Sequence, residues 1–170
     1  MNQSNKKNLE FIVNSGVNYF LQDSPRNWFE NDKKVELPLA NIDTGDKKSL
    51  IEVIIKDLKN HQSSLQKTAK NLVVYHGNLN AKVMFIGEAP GRDEDEQGIP
   101  FVGRAGQLLN KMLLAIKLRR EDVYITNVVN WRPPDNRTPT DDEILEYLPF
   151  LQRQIDIVQP KFIFLLGGVA

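Results

Sequence analysis

Residues Lys82–Leu109 read "KVMFIGEAPGRDEDEQGIPFVGRAGQLL". The first six, "KVMFIG" (82–87), form a short apolar run of strand length. A loop rich in glycine and proline follows at once. The chain then enters "GQLLNKMLLAIKL" (106–118), where Leu108, Leu109, Met112, Leu113 and Ile116 have the spacing of an inward helix face. A strand that runs through a Gly-rich turn into a helix is the building unit of an α/β domain.

The same alternation continues on both sides. "DVYITNVVN" (122–130) reads as a strand and "RPPDNRTPT" as an extended loop. "TDDEILEYLPFLQRQIDIV" (140–158) reads as a helix, with Thr140 as N-cap and Glu143 closing a capping box. Pro149 is expected to kink or split it. "KFIFLLGG" (161–168) is a wholly apolar strand. Upstream, "NLVVY" (71–75) is another short apolar run, and "KSLIEVIIKDLKNH" (48–61) an amphipathic helix with Leu50, Val53, Ile54 and Leu58 on one stripe. Residues 7–21 show near-helical spacing, and 30–47 read as a polar linker.

The pattern predicts a three-layer α/β/α domain over 61–170 with a mainly parallel central sheet, its strands near 82–87, 122–127 and 161–166. A helical N-terminal arm and linker over 1–60 precede it. Ligands of such sheets sit beyond the carboxyl ends of the strands. "GEAPG", "TNVVNWRPPDNR" and "GGVA" all follow strands and are expected to converge there. A parallel strand is normally followed by a covering helix, so a sequence ending in "LLGGVA" is expected to be an N-terminal fragment or truncated product, its domain incomplete at the C-terminus.

Composition narrows the chemistry. Of 170 residues, 41% are hydrophobic and 26% charged, the balance of a globular protein. Lys+Arg and Asp+Glu both number 22, so any attraction to nucleic acid must come from a local basic face. There is no cysteine, which excludes disulfides, thiolate metal sites and a cysteine nucleophile, and agrees with a cytoplasmic location. His61 and His76 are the only histidines, too few for a histidine-rich metal site, and no metal site is expected. The N-terminus lacks the apolar core of a signal peptide, and no run approaches the roughly 18 apolar residues of a membrane span.

"GEAPGRDEDEQGIPFVGRAGQLL", "VYITNVVNWRPPDNRTPT" and "LLGGVA" resemble blocks of the type 4 uracil-DNA glycosylases, of the uracil-DNA glycosylase superfamily, some of whose relatives carry the label phage-type DNA polymerase. The resemblance covers about residues 61–170. It implies hydrolysis of the N-glycosidic bond of uracil in DNA during base-excision repair, by a protein expected to act as a monomer. Gly87, Ala89, Pro90 and Gly91 would then wrap the uracil edge and sugar, and Phe101 would stack on the extruded base. Asn127 would read the base, its amide accepting from uracil N3–H and donating to O4, a pattern that cytosine reverses. Glu88, Glu94 and Asp95 are the candidate catalytic carboxylates beside a sugar that becomes cation-like. Arg132, Asn136 and Arg137 are the candidate DNA-backbone contacts.

Two departures from the family accompany the resemblance. Type 4 enzymes hold a [4Fe–4S] cluster through cysteines; here Ser63, Trp131 and Tyr147 stand near those places, and no cofactor is expected. The family's "His-Pro" block, whose histidine stabilises uracil O2, is expected beyond residue 170. An inactive remnant of the family is therefore the alternative. A nucleotide-phosphate binding module is weaker still, because "DEDE" (93–96) would repel phosphate.

Overall fold

The computed structural model describes residues 46–168 and 170. The helical reading of 7–21 lies outside them, as does the linker reading apart from its last two residues. Those two open helix α1 (Asp46–Asn60). Strand β1 (Tyr75–Gly77) and strand β2 (Val83–Gly87) come next. A short helix α2 (Arg92–Gln97), helix α3 (Arg104–Ala115), strand β3 (Tyr124–Asn127), helix α4 (Asp141–Val158) and strand β4 (Phe162–Leu165) complete the order.

The four strands form one sheet in the order β1-β3-β2-β4. β2 pairs in parallel with β3 on one side and with β4 on the other, while β1 lies antiparallel on β3. The chain therefore leaves β2 for one neighbour and later returns to the opposite neighbour. That makes the carboxyl end of β2 the point where strand order reverses, the ligand position of open α/β sheets.

Alternation along the strands sorts the core into two layers. Met84, Ile86 and Tyr124 pack with Ile51, Ile54 and Leu58 of α1 and with Tyr147, Leu151 and Val158 of α4. Phe85 and Ile125, the intervening residues, pack on the other side with Leu109 and Leu113 of α3. Helices thus cover both faces of a mainly parallel sheet, which is the predicted α/β/α architecture. Gln154 of α4 adds a buried polar tie, its Oε1 accepting from Tyr124 Oη at 2.8 Å and Thr126 Oγ1 at 3.1 Å.

Several local expectations change. In α1 the inward stripe is Ile51, Ile54 and Leu58, while Val53 is 48% exposed. Of the apolar stripe read for α3 only Leu109 and Leu113 are buried; Leu108, Met112 and, just past the helix, Ile116 are exposed, so apolar spacing there marks a wider stripe than the sheet covers. α4 continues through Pro149 as one helix. Pro149 faces solvent, and Leu145, whose carbonyl loses its helical partner, is 58% exposed, so water is at hand for that oxygen. The capping box forms as read, with Glu143 N–H donating to Thr140 Oγ1 at 3.3 Å and Thr140 N–H donating to Glu143 Oε2 at 2.8 Å. All four residues of β4 are exposed, and Phe164 is stacked on Phe85 with ring centroids 5.2 Å apart.

Helix α1 belongs to the stretch read as an arm, yet Ile54 is 0% exposed against the sheet and α4. Ile54→Ala is expected to lower unfolding stability by about 2–5 kcal/mol in a urea titration. A change near zero would mean that α1 contributes nothing to the core.

Candidate functional site

Gly87 and Asn127 are register partners at the carboxyl ends of β2 and β3. Pairing continues past the strands, with Val128 N–H donating to Gly87 O at 2.8 Å and Val129 N–H donating to Glu88 O at 3.0 Å. The "GEAPG" loop is therefore stitched to the segment after β3 and cannot drift from it. Leu166, after β4, donates its N–H to Ile86 O at 2.8 Å and closes the other side.

These segments frame an open cavity of about 440 Å³. Glu88, Ala89 and Gly91 line it from the first loop, Glu94 from α2, Phe101 from the next turn, Arg104 from the start of α3, Asn127 and Leu166 from the strand ends, and Asn136 from the turn Pro134–Asn136. Phe101 sits across Gly87: a Cβ built on residue 87 would lie 2.4 Å from Phe101 Cζ and 2.6 Å from Asn127 Oδ1. Glycine at 87 is thus what lets an aromatic ring and a carboxamide meet at one point. Asn127 is 2% exposed and opens onto the cavity, and among the described residues its side-chain amide makes no hydrogen bond. An amide that opens onto a cavity can offer its oxygen and its N–H groups to a ligand.

The acidic run divides by direction. Glu94 Oε2 accepts from Gly91 N–H at 3.1 Å, while its Oε1 accepts from Val102 N–H at 3.0 Å and Gly103 N–H at 2.9 Å. Glu94 thereby ties the "GEAPG" loop to the Phe101 turn, with both carboxylate oxygens engaged. Asp95 points away from the cavity: 1% exposed, its Oδ1 accepts from Lys70 N–H at 2.8 Å and Asn71 N–H at 3.0 Å. Asp93 lines the cavity, and Glu96 is exposed and pairs with Arg92 at 3.2 Å. Helix α2, unforeseen in the sequence, produces this split, because consecutive helical residues point in different directions.

The candidate phosphate contacts also differ from one another. Asn136 lines the cavity at φ 54° and accepts from Arg132 Nε at 2.7 Å. Arg132 leans on Asp95 at 3.9 Å. Arg137 donates to Glu143 from both terminal guanidinium nitrogens, Nη1 at 2.7 Å and Nη2 at 2.6 Å. Arg104, missed in the sequence, is an exposed cation on the cavity rim; its place directly after the Pro-Phe-Val-Gly turn was the available signal. Pro90 is buried behind the loop.

Neither histidine is in the cavity lining. His61 Nε2 lies 2.7 Å from Glu146 Oε1 beneath α4, and His76 sits on β1. Among the described residues, no group of three or more His, Cys, Asp or Glu is placed to hold a metal ion. No helix among them is long and apolar enough to cross a membrane.

A [4Fe–4S] cluster, implied by the resemblance, needs thiolates. The three side chains near those places are all buried and none fits. Ser63 Oγ is engaged as an acceptor from Leu65 N–H at 3.2 Å, and Trp131 is packed at 6% exposure. Tyr147 is fully buried, and that burial pushes its phenol up to about 12, so it stays neutral.

A family model described as the uracil DNA glycosylase superfamily matches residues 74–170, more than half of the chain. The chain belongs to the uracil-DNA glycosylase superfamily. This superfamily member is 48% identical over 122 residues to the type-4 uracil-DNA glycosylase of Archaeoglobus fulgidus, covering 72% of the chain and 61% of that relative. It is 46% identical over 125 residues to the type-4 uracil-DNA glycosylase of Thermotoga maritima, covering 73% of the chain and 65% of the relative. A DNA polymerase of Bacillus phage SP01 is 32% identical over 95 residues, 55% of the chain but 10% of the phage protein. The chain thus spans under two thirds of the length of the two type-4 relatives.

The Arg137–Glu143 pair gives a pH prediction. Hydrogen bonding to Arg137 holds the Glu143 carboxyl below its ordinary value of 4.5. A depressed carboxyl contributes stability above its unfolded value and loses it as pH falls through the folded one. Unfolding stability is therefore expected to decline below about pH 4.5, and Glu143→Gln to flatten that acid limb in denaturant titrations at stepped pH. An unchanged acid slope would show that the pair carries none of it.

Proposed function

We propose that this chain forms the base-recognition half of a DNA glycosylase that hydrolyses the N-glycosidic bond of uracil in DNA. The observation that carries the reading is the Asn127 carboxamide, on a residue only 2% exposed, lining a cavity beside an aromatic ring. A planar base with adjacent N–H and C=O groups answers both features. Its face stacks on Phe101, and its edge takes the carboxamide, which accepts from N3–H and donates to O4. Cytosine offers the opposite pattern and leaves the amide unpaired.

In the chemistry proposed, C1′–N1 cleavage leaves the sugar cation-like and sends the electron pair onto uracil. Gly87, Ala89 and Gly91 supply the close-fitting backbone wall around base and sugar, and Pro90, buried and outside the cavity lining, holds the turn instead of touching the base as first expected. Glu88 is a carboxylate lining the cavity beside the loop backbone, suited to facing the developing cation or orienting water. Glu94 and Asp95, named above as candidate catalytic groups, suit a positioning role better, because backbone amides engage their oxygens. Arg104 and Asn136 are the rim groups suited to the DNA backbone; Arg132 and Arg137 would have to leave acidic partners first. The partner is uracil-containing DNA, met by a monomer in the cytoplasm, with no cofactor taking part.

A second reading has a specific observation behind it: no histidine lines the cavity. Stabilising the uracil anion then rests on the Asn127 amide and backbone N–H groups, and one missing donor typically costs about 100- to 1,000-fold in rate. The chain by itself is therefore expected to recognise uracil better than it excises it.

With enzyme in excess over a uracil-containing single-stranded oligonucleotide, alkali treatment is expected to reveal slow, uracil-dependent cleavage. Asn127→Asp is expected to reduce it about 100-fold or more, since a carboxylate repels both O4 and the leaving anion. No cleavage by the unaltered chain would defeat the catalytic claim, and an unaffected Asn127→Asp rate would defeat the role given to Asn127.

A further inference from the structure

We propose that Arg120 is a positioning residue whose guanidinium holds the Pro100–Phe101 turn so that the Phe101 ring stays seated across Gly87 and Asn127. The value of that seat to base binding rests on the glycosylase reading; the clamp itself does not.

Phe101 has φ 56°, in the left-handed region that a bulky side chain rarely adopts. Such a backbone persists only where its surroundings over-determine it. The amides after the ring, Val102 and Gly103, are fixed by Glu94. The carbonyls around it are fixed by Arg120: Nη2 donates to Pro100 O at 2.6 Å, and Nη1 donates to Phe101 O. Gly106 of α3 completes the seat, since a Cβ there would lie 1.8 Å from Phe101 O. The turn is thus held from its amide side by an anion and from its carbonyl side by a cation.

Arginine suits the carbonyl side for a geometric reason. Its planar fork reaches two oxygens of successive residues with two parallel donors, whereas an ammonium is a single point. The fork is itself braced, with Nη1 also donating to Asn110 Oδ1 of α3 at 3.2 Å. Its backbone lies in the turn Arg120–Asp122 that leads straight into β3, so the strand carrying Asn127 also carries the clamp on Phe101. The ionisable groups around Arg120 are Glu94, Glu121 and His76. Arg120 keeps its charge at any working pH. It does not line the cavity, so it acts through Phe101 and not on substrate.

The test compares the full chain with Arg120→Met and Arg120→Lys by NMR. In the unaltered protein the Phe101 ring lies against Gly87, so the Gly87 α-proton signals are displaced by the ring current. Arg120→Met is expected to abolish that displacement while Tyr124 and Ile125 signals stay in place; a merely structural role would disturb the core signals and leave the ring on Gly87. Arg120→Lys is expected to fall between. A folded Arg120→Met protein with unchanged Gly87 signals overturns the proposal. If Arg120→Met does not fold, Arg120→Lys decides by the same signals, partial release supporting the clamp and unchanged signals overturning it. In a second arm, affinity for a uracil-containing single-stranded oligonucleotide is expected to drop about 5- to 150-fold in Arg120→Met, the worth of one stacked base. Failure of the unaltered chain to prefer uracil over thymine would sink the glycosylase reading, while the Gly87 signals would still decide the clamp.

Discussion

Residue 87 has no side chain, and two others use the space one would fill. A Cβ there would meet the Phe101 ring at 2.4 Å and the Asn127 carboxamide at 2.6 Å. These residues come from separate segments, and the bare backbone at the end of β2 leaves the room in which they converge. The register Gly87↔Asn127 fixes the amide, and the ring closes from above. The rest of the fold serves that meeting: α3 and α4 cover opposite faces of the sheet, and β2, paired in parallel with β3 and β4, is the interior strand at which strand order reverses.

Charge in this region is mostly spent on structure. Glu94, Asp95 and Arg120 each engage backbone groups of neighbouring loops, which explains a Gly-rich loop with an acidic run beside it. A loop that must approach a ligand closely cannot hold itself in place with side chains of its own. Carboxylates on a short following helix can accept its amides instead, and a guanidinium can take its carbonyls. What remains facing the cavity is a small set: loop backbone, the Phe101 ring, the Asn127 amide and the charged groups Glu88, Asp93 and Arg104.

The architecture was legible because strands and helices alternate with strong apolar periodicity, and because strand ends in such sheets gather polar loops. Phe101, Asn127 and Gly91 were legible as cavity residues from their places in the "GEAPG", Pro-Phe-Val-Gly and strand-end segments. The direction of the acids was not, because six residues of "RDEDEQ" carry no apolar periodicity to betray a helix. Arg120 was invisible for a different reason. It acts at a distance of 19 residues from Phe101, through backbone carbonyls that any sequence possesses. Apolar spacing overstated the buried faces of α1 and α3, since periodicity shows which residues share a stripe and not how much of that stripe a neighbour covers.

The central claim is that one point of this sheet edge recognises the face and polar edge of uracil. Titrating the isotopically labelled chain with free uracil, and separately with cytosine, tests it most directly. The account predicts saturable shifts at Gly87, Phe101 and Asn127 with uracil and much weaker ones with cytosine. Equal responses to the two bases, or uracil shifts confined to residues outside this cavity, would contradict it.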